Sequence, residues 1–266
     1  MKKNTISDIQ NKKTQKEKIV MITAYDYPSA KIVDASGVDI ILTGDSVGMT
    51  VLGYDSTLKV TMDDIIRHTS AVVRAKPNAL VVADMPFMSA QISIERGMEN
   101  ATRLIQEAGA QAVKIEGAGR LVSLIERLVE SGIPVMGHLG LTPQSVNQLG
   151  GYRVQGKNEE SAKSLESNCQ LLESAGVFSL LLECIPEKLG KYISEMLTIP
   201  TIGIGAGRFT DGQVLVFHDV LGYGSELNPK FVKRYVKVDD IMKTAVSQYV
   251  EEVKTKKFPE EKHVYQ

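Results

Sequence analysis

Six side chains capable of acid–base or metal chemistry recur along the 266-residue chain, each at or just past the end of a short apolar run: Asp26, Asp45, Asp84, Glu116, His138 and Glu183. If those runs lie side by side as strands, the six gather at one edge, where the acids repel one another unless a cation or bound protons offset them. Asp45, Asp84 and Glu116 follow consecutive runs and are the candidate metal ligands. Hard oxygen donors with no cysteine near them suit Mg²⁺ better than zinc. A cation held there with open positions can chelate a 2-oxo acid through its keto and carboxylate oxygens and act as a Lewis acid toward the enolate. The plainer alternative, that these acids cap the following helices or pair with arginines, also fits the spacing.

Lys114 lies two residues before Glu116 on the same run, so the two side chains face the same way. Either they form a structural ion pair, or Lys114 meets a substrate carboxylate or oxyanion. Schiff-base chemistry needs a lysine with a depressed pKa, and the adjacent carboxylate pushes in the other direction. Glu183 is the candidate proton acceptor for a carbon beside the keto group, or else a cap for its loop. His138, between small residues in Gly137-His138-Leu139-Gly140, is either a supporting polar group or a structural histidine. Gly203-Ile204-Gly205-Ala206-Gly207 lacks the Lys-Ser/Thr of a phosphate loop and the downstream acid of a dinucleotide fingerprint. Its glycines are expected to let backbone form one wall of the pocket. His68 and His263 have no ligand partner at helical spacing, and Met85-Pro86-Phe87-Met88 reads as an apolar lid or core.

The elements that must position these groups are eight apolar runs, at 19–24, 40–43, 80–83, 112–115, 134–137, 179–182, 201–204 and 214–217. They are short and mostly non-alternating, as parallel strands buried on both faces are. Between them, 27–35, 94–108, 120–130 and 161–174 have helical periodicity, each followed within two residues by a glycine. Repeated helix–glycine–strand units supply right-handed crossovers. Eight strands in a chain of this size predict an α/β fold, a closed parallel (β/α)8 barrel of the TIM type with outer helices, ahead of an open doubly wound sheet. Strands seven and eight are expected to end near Gly205-Ala206-Gly207 and His218-Asp219. Residues 226–236 carry turn signals, 239–254 read as a final helix, and 255–266 as a polar tail or an oligomer contact. The whole of 1–266 is expected to be one domain, with a short helical lead-in.

Charge narrows the partners. Lys+Arg 31 against Asp+Glu 32 leaves no broad field to hold nucleic acid or an anionic membrane. Cys169 and Cys184 are too few for a disulfide framework and lack zinc-site spacing, which favours a reducing compartment. The polar stretch at 1–18 has neither the apolar segment nor the cleavage site of a secretory signal, and no apolar run nears the roughly 20 residues a membrane span needs. A cytoplasmic location is the expectation.

Longer motifs go further. Met21-Ile22-Thr23-Ala24-Tyr25-Asp26, Gly44-Asp45-Ser46-Val47-Gly48, Ala83-Asp84-Met85-Pro86-Phe87 and Val113-Lys114-Ile115-Glu116-Gly117 occur in that order. Gly137-His138-Leu139-Gly140-Leu141-Thr142-Pro143-Gln144, Gly151-Tyr152-Arg153-Val154-Gln155-Gly156, Leu182-Glu183, Asp211-Gly212-Gln213-Val214-Leu215-Val216 and Pro229-Lys230-Phe231-Val232 follow. Together they resemble the ketopantoate (3-methyl-2-oxobutanoate) hydroxymethyltransferase family, from about Thr5 to the final helix. Phe217 is a departure, since the family pattern has tryptophan there. The resemblance implies transfer of a hydroxymethyl group from 5,10-methylenetetrahydrofolate to 3-methyl-2-oxobutanoate in pantothenate and coenzyme A synthesis. It implies Mg²⁺ on Asp45, Asp84 and Glu116, the 2-oxo acid on Asp45, Ser46, Asp84 and Lys114, Glu183 as proton acceptor, and a homo-oligomer, a homodecamer. The competing readings are a carbon–carbon lyase or mutase of the phosphoenolpyruvate mutase and isocitrate lyase group, and a non-catalytic barrel that binds a metabolite. The former would cleave a 2-hydroxy dicarboxylic acid; the latter would bind the 2-oxo acid without turnover.

Overall fold

Eight parallel strands hydrogen-bond in chain order and the last returns to the first, closing a barrel. They are β1 (Ile19–Thr23), β2 (Ile40–Thr43), β3 (Leu80–Asp84), β4 (Ala112–Glu116), β5 (Val135–Gly140), β6 (Ser179–Glu183), β7 (Thr201–Ile204) and β8 (Gly212–Leu215). The computed structural model describes residues 2–224 and 229–266. The helices are α1 (Ile6–Thr14), α2 (Tyr27–Ala35), α3 (Val47–Thr50), α4 (Met62–Arg74), α5 (Ile94–Gln106), α6 (Val122–Glu130), α7 (Val146–Leu149), α8 (Glu159–Ser174), α9 (Glu187–Met196), α10 (Phe217–Leu221) and α11 (Val238–Lys254). Local sequence sets many of the starts: Asp26 with Ser29, Thr61 with Asp64, and Asn158 with Ser161 form capping boxes that satisfy first-turn N–H groups.

Alternation along the strands decides what the barrel holds. Met21, Ile40, Leu42, Leu80, Val82, Ala112, Met136, Leu181 and Ile202 fill the interior, while Ala83, Val113, Ile115, Leu180 and Leu182 pack under the helices. Successive strand residues face opposite sides, so the inner set continues in steps of two. The next inner positions are Asp84 on β3, Lys114 and Glu116 on β4, His138 on β5 and Glu183 on β6. Pairing places Asp84 opposite Lys114 and Glu116 opposite His138. A polar layer therefore sits directly on an apolar one.

The opposite edge is stopped by α1. Ile9 is fully buried in the interior cluster, and Lys12 and Lys13 reach Asp39 and Asp211 at 2.9 Å, just ahead of β2 and β8.

Two expectations are corrected. The last strand ends at Leu215, and Phe217 opens α10 instead of closing β8. β5 continues past Gly137 to Gly140, because Gly137 pairs with both Ile115 and Leu180, so His138 lies within the strand. The chain divides into two compact units, Met1–Val216 and Phe217–Gln266, where the sequence marked no boundary. In the second unit His218 stacks on Tyr223 at 5.0 Å, and Phe258 packs against Tyr249 and His263. Of the turn-rich stretch 226–236, residues 226–228 lie outside the described residues. No helix among the described residues is long and apolar enough to cross a membrane.

Gly140, at the end of β5, has φ +95° and lies against β6 so closely that a Cβ would collide with the Glu183 carbonyl oxygen. Gly37, at φ +81°, has open space around the same position. Gly37→Ala should cost about 1 kcal/mol through backbone conformation alone. Gly140→Ala adds a backbone collision and should cost at least about 3 kcal/mol, lowering Tm by roughly 6–10 °C. Equal losses in thermal unfolding of the two variants would show that the β5–β6 contact gives way freely.

Candidate active site

The polar layer gathers five of the side chains singled out above. Asp45, Asp84, Lys114, Glu116 and His138 are each no more than 5% exposed, and Glu183 is at the edge of the same group. Asp26 does not join them: it is exposed and caps α2 through Ser29. For Asp45, Asp84 and Glu116 the capping alternative fails. The N-cap residue of α3 is Ser46 and that of α6 is Leu121, neither helix has a side-chain cap, and α5 is capped by Ser93. Glu183 caps nothing either, as α9 begins after Pro186.

Lys114 is the hub. Its Nζ lies 2.9 Å from Asp84 Oδ1 and 3.6 Å from Glu116 Oε1. On the far side His138 bridges two carboxylates, Nδ1 at 3.3 Å from Glu116 Oε1 and Nε2 at 3.3 Å from Glu183 Oε2. Lys114 Nζ also approaches His138 Nδ1 at 3.1 Å, a contact that suits a neutral ring. Burial likewise opposes the imidazolium, but the carboxylates on either side outweigh both and lift the His138 pKa to about 9. Burial works against the Lys114 charge in the same way, and Asp84, Glu116 and Asp45 more than restore it, raising its pKa. Glu116 is held below its ordinary range despite burial, by His138 and Lys114. Asp45 has no such partner. Burial, then Asp84 and Glu116, push its carboxyl well above the usual range, and burial also raises Asp84.

Ser46 and Asp45 are set by local chemistry. The Asp45 N–H donates to Asp84 Oδ2 at 2.9 Å, and Ser46 Oγ shares a 2.8 Å hydrogen bond with the buried Tyr25 hydroxyl. Gly44 allows this crowding: a methyl there would sit 3.0 Å from Ser46 Oγ and 3.3 Å from Asp84 Oδ2. His68 is structural, its Nδ1 2.6 Å from the Tyr25 carbonyl oxygen. Met85 is buried in the core, whereas Phe87 and Met88 are exposed. At its far end the Gly203–Gly207 run packs against α9, where a Cβ on Gly190 would collide with the Ala206 carbonyl oxygen, while Ile204 lies against the interior cluster.

Gln144 is the residue that reading by charge passed over. It comes from the loop after β5, which is tied to β6 by Leu141 N to Glu183 O and Gln155 N to Cys184 O, both 2.8 Å. Its backbone N–H donates to Glu116 Oε2 at 3.1 Å and its Nε2 to Asp45 Oδ2 at 2.9 Å. A neutral side chain within Leu141-Thr142-Pro143-Gln144 carries no electrostatic signal in sequence. Tyr152, farther along this loop, reaches Met49 Sδ at 3.7 Å, and burial with Asp45, Glu183 and Glu116 raises its pKa.

The donor set is chemically suited to a hard divalent cation. Asp45, Asp84, Glu116 and Glu183 outnumber Lys114 and His138, and buried Asp84 Oδ1 and Glu116 Oε1 have ion-pair neighbours but no well-directed hydrogen bond. As the side chains stand, Lys114 bridges Asp84 and Glu116, and no three carboxylate, histidine or cysteine groups among the described residues form a ready ligand set.

A carboxyl whose pKa rises on folding stabilises the fold only below its unfolded pKa, and the contribution is lost as pH passes through the folded value. The raised Asp45 carboxyl therefore costs stability as pH climbs above its unfolded value, and Asp45→Asn should raise the metal-free Tm by roughly 3–6 °C. A lower Tm in calorimetry with a chelator would contradict the raised carboxyl. His138 has the same sign with a different window. Its contribution is complete below about pH 6.5 and is lost as pH rises through about 9. Urea unfolding of the wild type should show that loss between these values, and His138→Gln should flatten it.

Comparison with known proteins agrees with the geometry. A family model described as ketopantoate hydroxymethyltransferase matches residues 3–261. The 3-methyl-2-oxobutanoate hydroxymethyltransferase of Clostridium botulinum (strain 657, type Ba4) is 57% identical over 263 residues, 99% of this chain and 96% of that protein. Among solved structures, a phosphoenolpyruvate phosphomutase from Streptomyces platensis subsp. rosaceus superposes with TM-score 0.63 at 12% identity, covering 99% of this chain and 92% of that one. Phosphonopyruvate hydrolase in complex with oxalate and Mg²⁺ gives TM-score 0.61 at 10% identity, covering 81% of each chain. The two structures share the barrel alone; on the identity and length of the sequence matches, the chain belongs to the ketopantoate hydroxymethyltransferase family.

Proposed function

We propose that this chain transfers a hydroxymethyl group from 5,10-methylenetetrahydrofolate to 3-methyl-2-oxobutanoate, giving 2-dehydropantoate (ketopantoate) for pantothenate and coenzyme A synthesis through an enolate. The observation that carries the reading is the joining of two functions in one buried layer. The closeness of Asp84, Glu116 and Lys114, with Glu183 across His138, supports a reading in which they and Asp45 hold an anionic oxo acid and a cation. Family membership supplies the identity of the oxo acid.

Asp45, Asp84 and Glu116 would hold one Mg²⁺ per subunit. Bound there, the cation supplies Lewis-acid polarisation of the keto group and neutralises excess carboxylate charge. The complex of a hydrolase of this fold with Mg²⁺ and oxalate, a ligand with paired oxygens, is in keeping with that role. Lys114, positively charged among the acids, faces the substrate carboxylate or oxyanion, and Ser46 adds a hydroxyl held by Tyr25. Glu183 takes the proton from C3, with His138 fixing the direction of its carboxylate. The C3 carbon then forms its bond to the folate-derived methylene, and water supplies the oxygen of the new hydroxymethyl group as tetrahydrofolate leaves. The same reading carries a homo-oligomer, a homodecamer as the family resemblance implies, in the cytoplasm. The lyase or mutase alternative is left with the shared fold alone.

Enolisation should precede folate chemistry. With Mg²⁺ and 3-methyl-2-oxobutanoate in D₂O, and no folate, the wild type should exchange the C3 proton. Glu183→Gln should slow exchange by roughly 10²–10⁴-fold while still binding the oxo acid. Glu116→Ala should lose hydroxymethyl transfer without loss of fold. Absence of exchange in folded, metal-loaded wild type would overturn this order of steps.

A further inference from the structure

Gln144 is 6% exposed, and the orientation of its amide is fixed by its surroundings. Nε2 donates to Asp45 Oδ2 at 2.9 Å and to the Met85 carbonyl oxygen at 3.0 Å. Turning the amide over would set an oxygen against two oxygens, so the assignment follows from chemistry. Both N–H groups are used. Oε1 is then a buried acceptor with no hydrogen-bond partner among the described residues. A buried acceptor left without a donor needs an explanation, and a ligand that brings one is an explanation.

The oxo acid cannot bring one, because its ketone and carboxylate only accept. The hydroxymethylated product differs by carrying a primary alcohol, which donates. Gln144 touches Asp45 through Nε2 and Glu116 through its backbone N–H, two of the acids placed around the bound oxo acid. We propose that Gln144 Oε1 accepts the hydrogen bond of that alcohol, making Gln144 the residue that distinguishes the hydroxymethylated acid from acids without the hydroxyl. This rests on the transferase reading above.

Two ligands isolate the hydroxyl: the product, 4-hydroxy-3,3-dimethyl-2-oxobutanoate, and 3,3-dimethyl-2-oxobutanoate, which has a methyl in place of the hydroxymethyl group. Their affinities are measured by titration calorimetry with Mg²⁺ present, for the wild type and Gln144→Met, with folding checked by circular dichroism. The wild type should prefer the hydroxylated ligand by roughly three- to tenfold, the worth of one neutral hydrogen bond. In Gln144→Met that ratio should fall to about one. If both ligands weaken together and the ratio survives, Gln144 is a strut for Asp45 and the proposal fails; no preference in the wild type overturns it equally. If Gln144→Met does not fold, Gln144→Glu, which keeps an acceptor at the same reach, must retain the preference, and its loss there refutes the proposal. A wild type that binds neither ligand would instead remove the transferase reading beneath it.

Discussion

Lys114 stands on the inner face of β4 with Asp84 at 2.9 Å and Glu116 at 3.6 Å, almost wholly removed from water. A charge held there is tolerable only while both neighbours remain charged and close, because desolvation cannot be recovered by anything else in so dry a place. The neighbours depend on it in turn. Glu116 stays ionised because Lys114 and His138 lie beside it, and His138 stays protonated because Glu116 and Glu183 do. For Asp45 the pull of Lys114 is weaker than burial and the repulsion of Asp84 and Glu116, so its carboxyl is pushed well above the usual range. The cluster is balanced around a deficit of positive charge, and the fold bears the cost of that deficit.

Strand alternation turns this local constraint into a property of the whole barrel. The same steps of two that send Leu80 and Val82 inward send Asp84 inward, and the steps that bury Ala112 bury Lys114 and Glu116. No special backbone is needed on β3 or β4; the regular pleat suffices. The irregular work is done by loops. The loop after β5, tied to β6 at both ends, delivers Gln144 between Asp45 and Glu116 and so joins strands that are not neighbours.

Much of this was legible in sequence because acids and lysines interrupt apolar strands conspicuously. Asp45, Asp84, Lys114, Glu116, His138 and Glu183 stand together as strand-end chemistry leads one to expect. Asp26 looked identical in sequence and proved to be a helix cap, since a strand-end acid followed by Tyr-Pro-Ser serves both patterns equally well. What could not be read is of two kinds. Inner and outer strand faces are both apolar here, so alternation is invisible until the polar layer marks it. Gln144 acts through an amide whose geometry comes from a loop, and no pattern of charge or period announces that. The end of β8 was misplaced because Val214 to Phe217 is uniformly apolar, and hydrophobicity alone does not separate a strand's last residues from a helix's first.

The α1 stopper also has a kinetic meaning. With Ile9 seated in the interior cluster and Lys12 and Lys13 fastened at the strand starts, the barrel is a well with a floor. On the proposed reading, a molecule consumed at the polar layer and the one formed from it share the strand-end side of the barrel. On that reading traffic is single-file: a lingering product excludes the next oxo acid, and turnover is bounded by how quickly the opening clears as well as by how quickly the carbon–carbon bond forms.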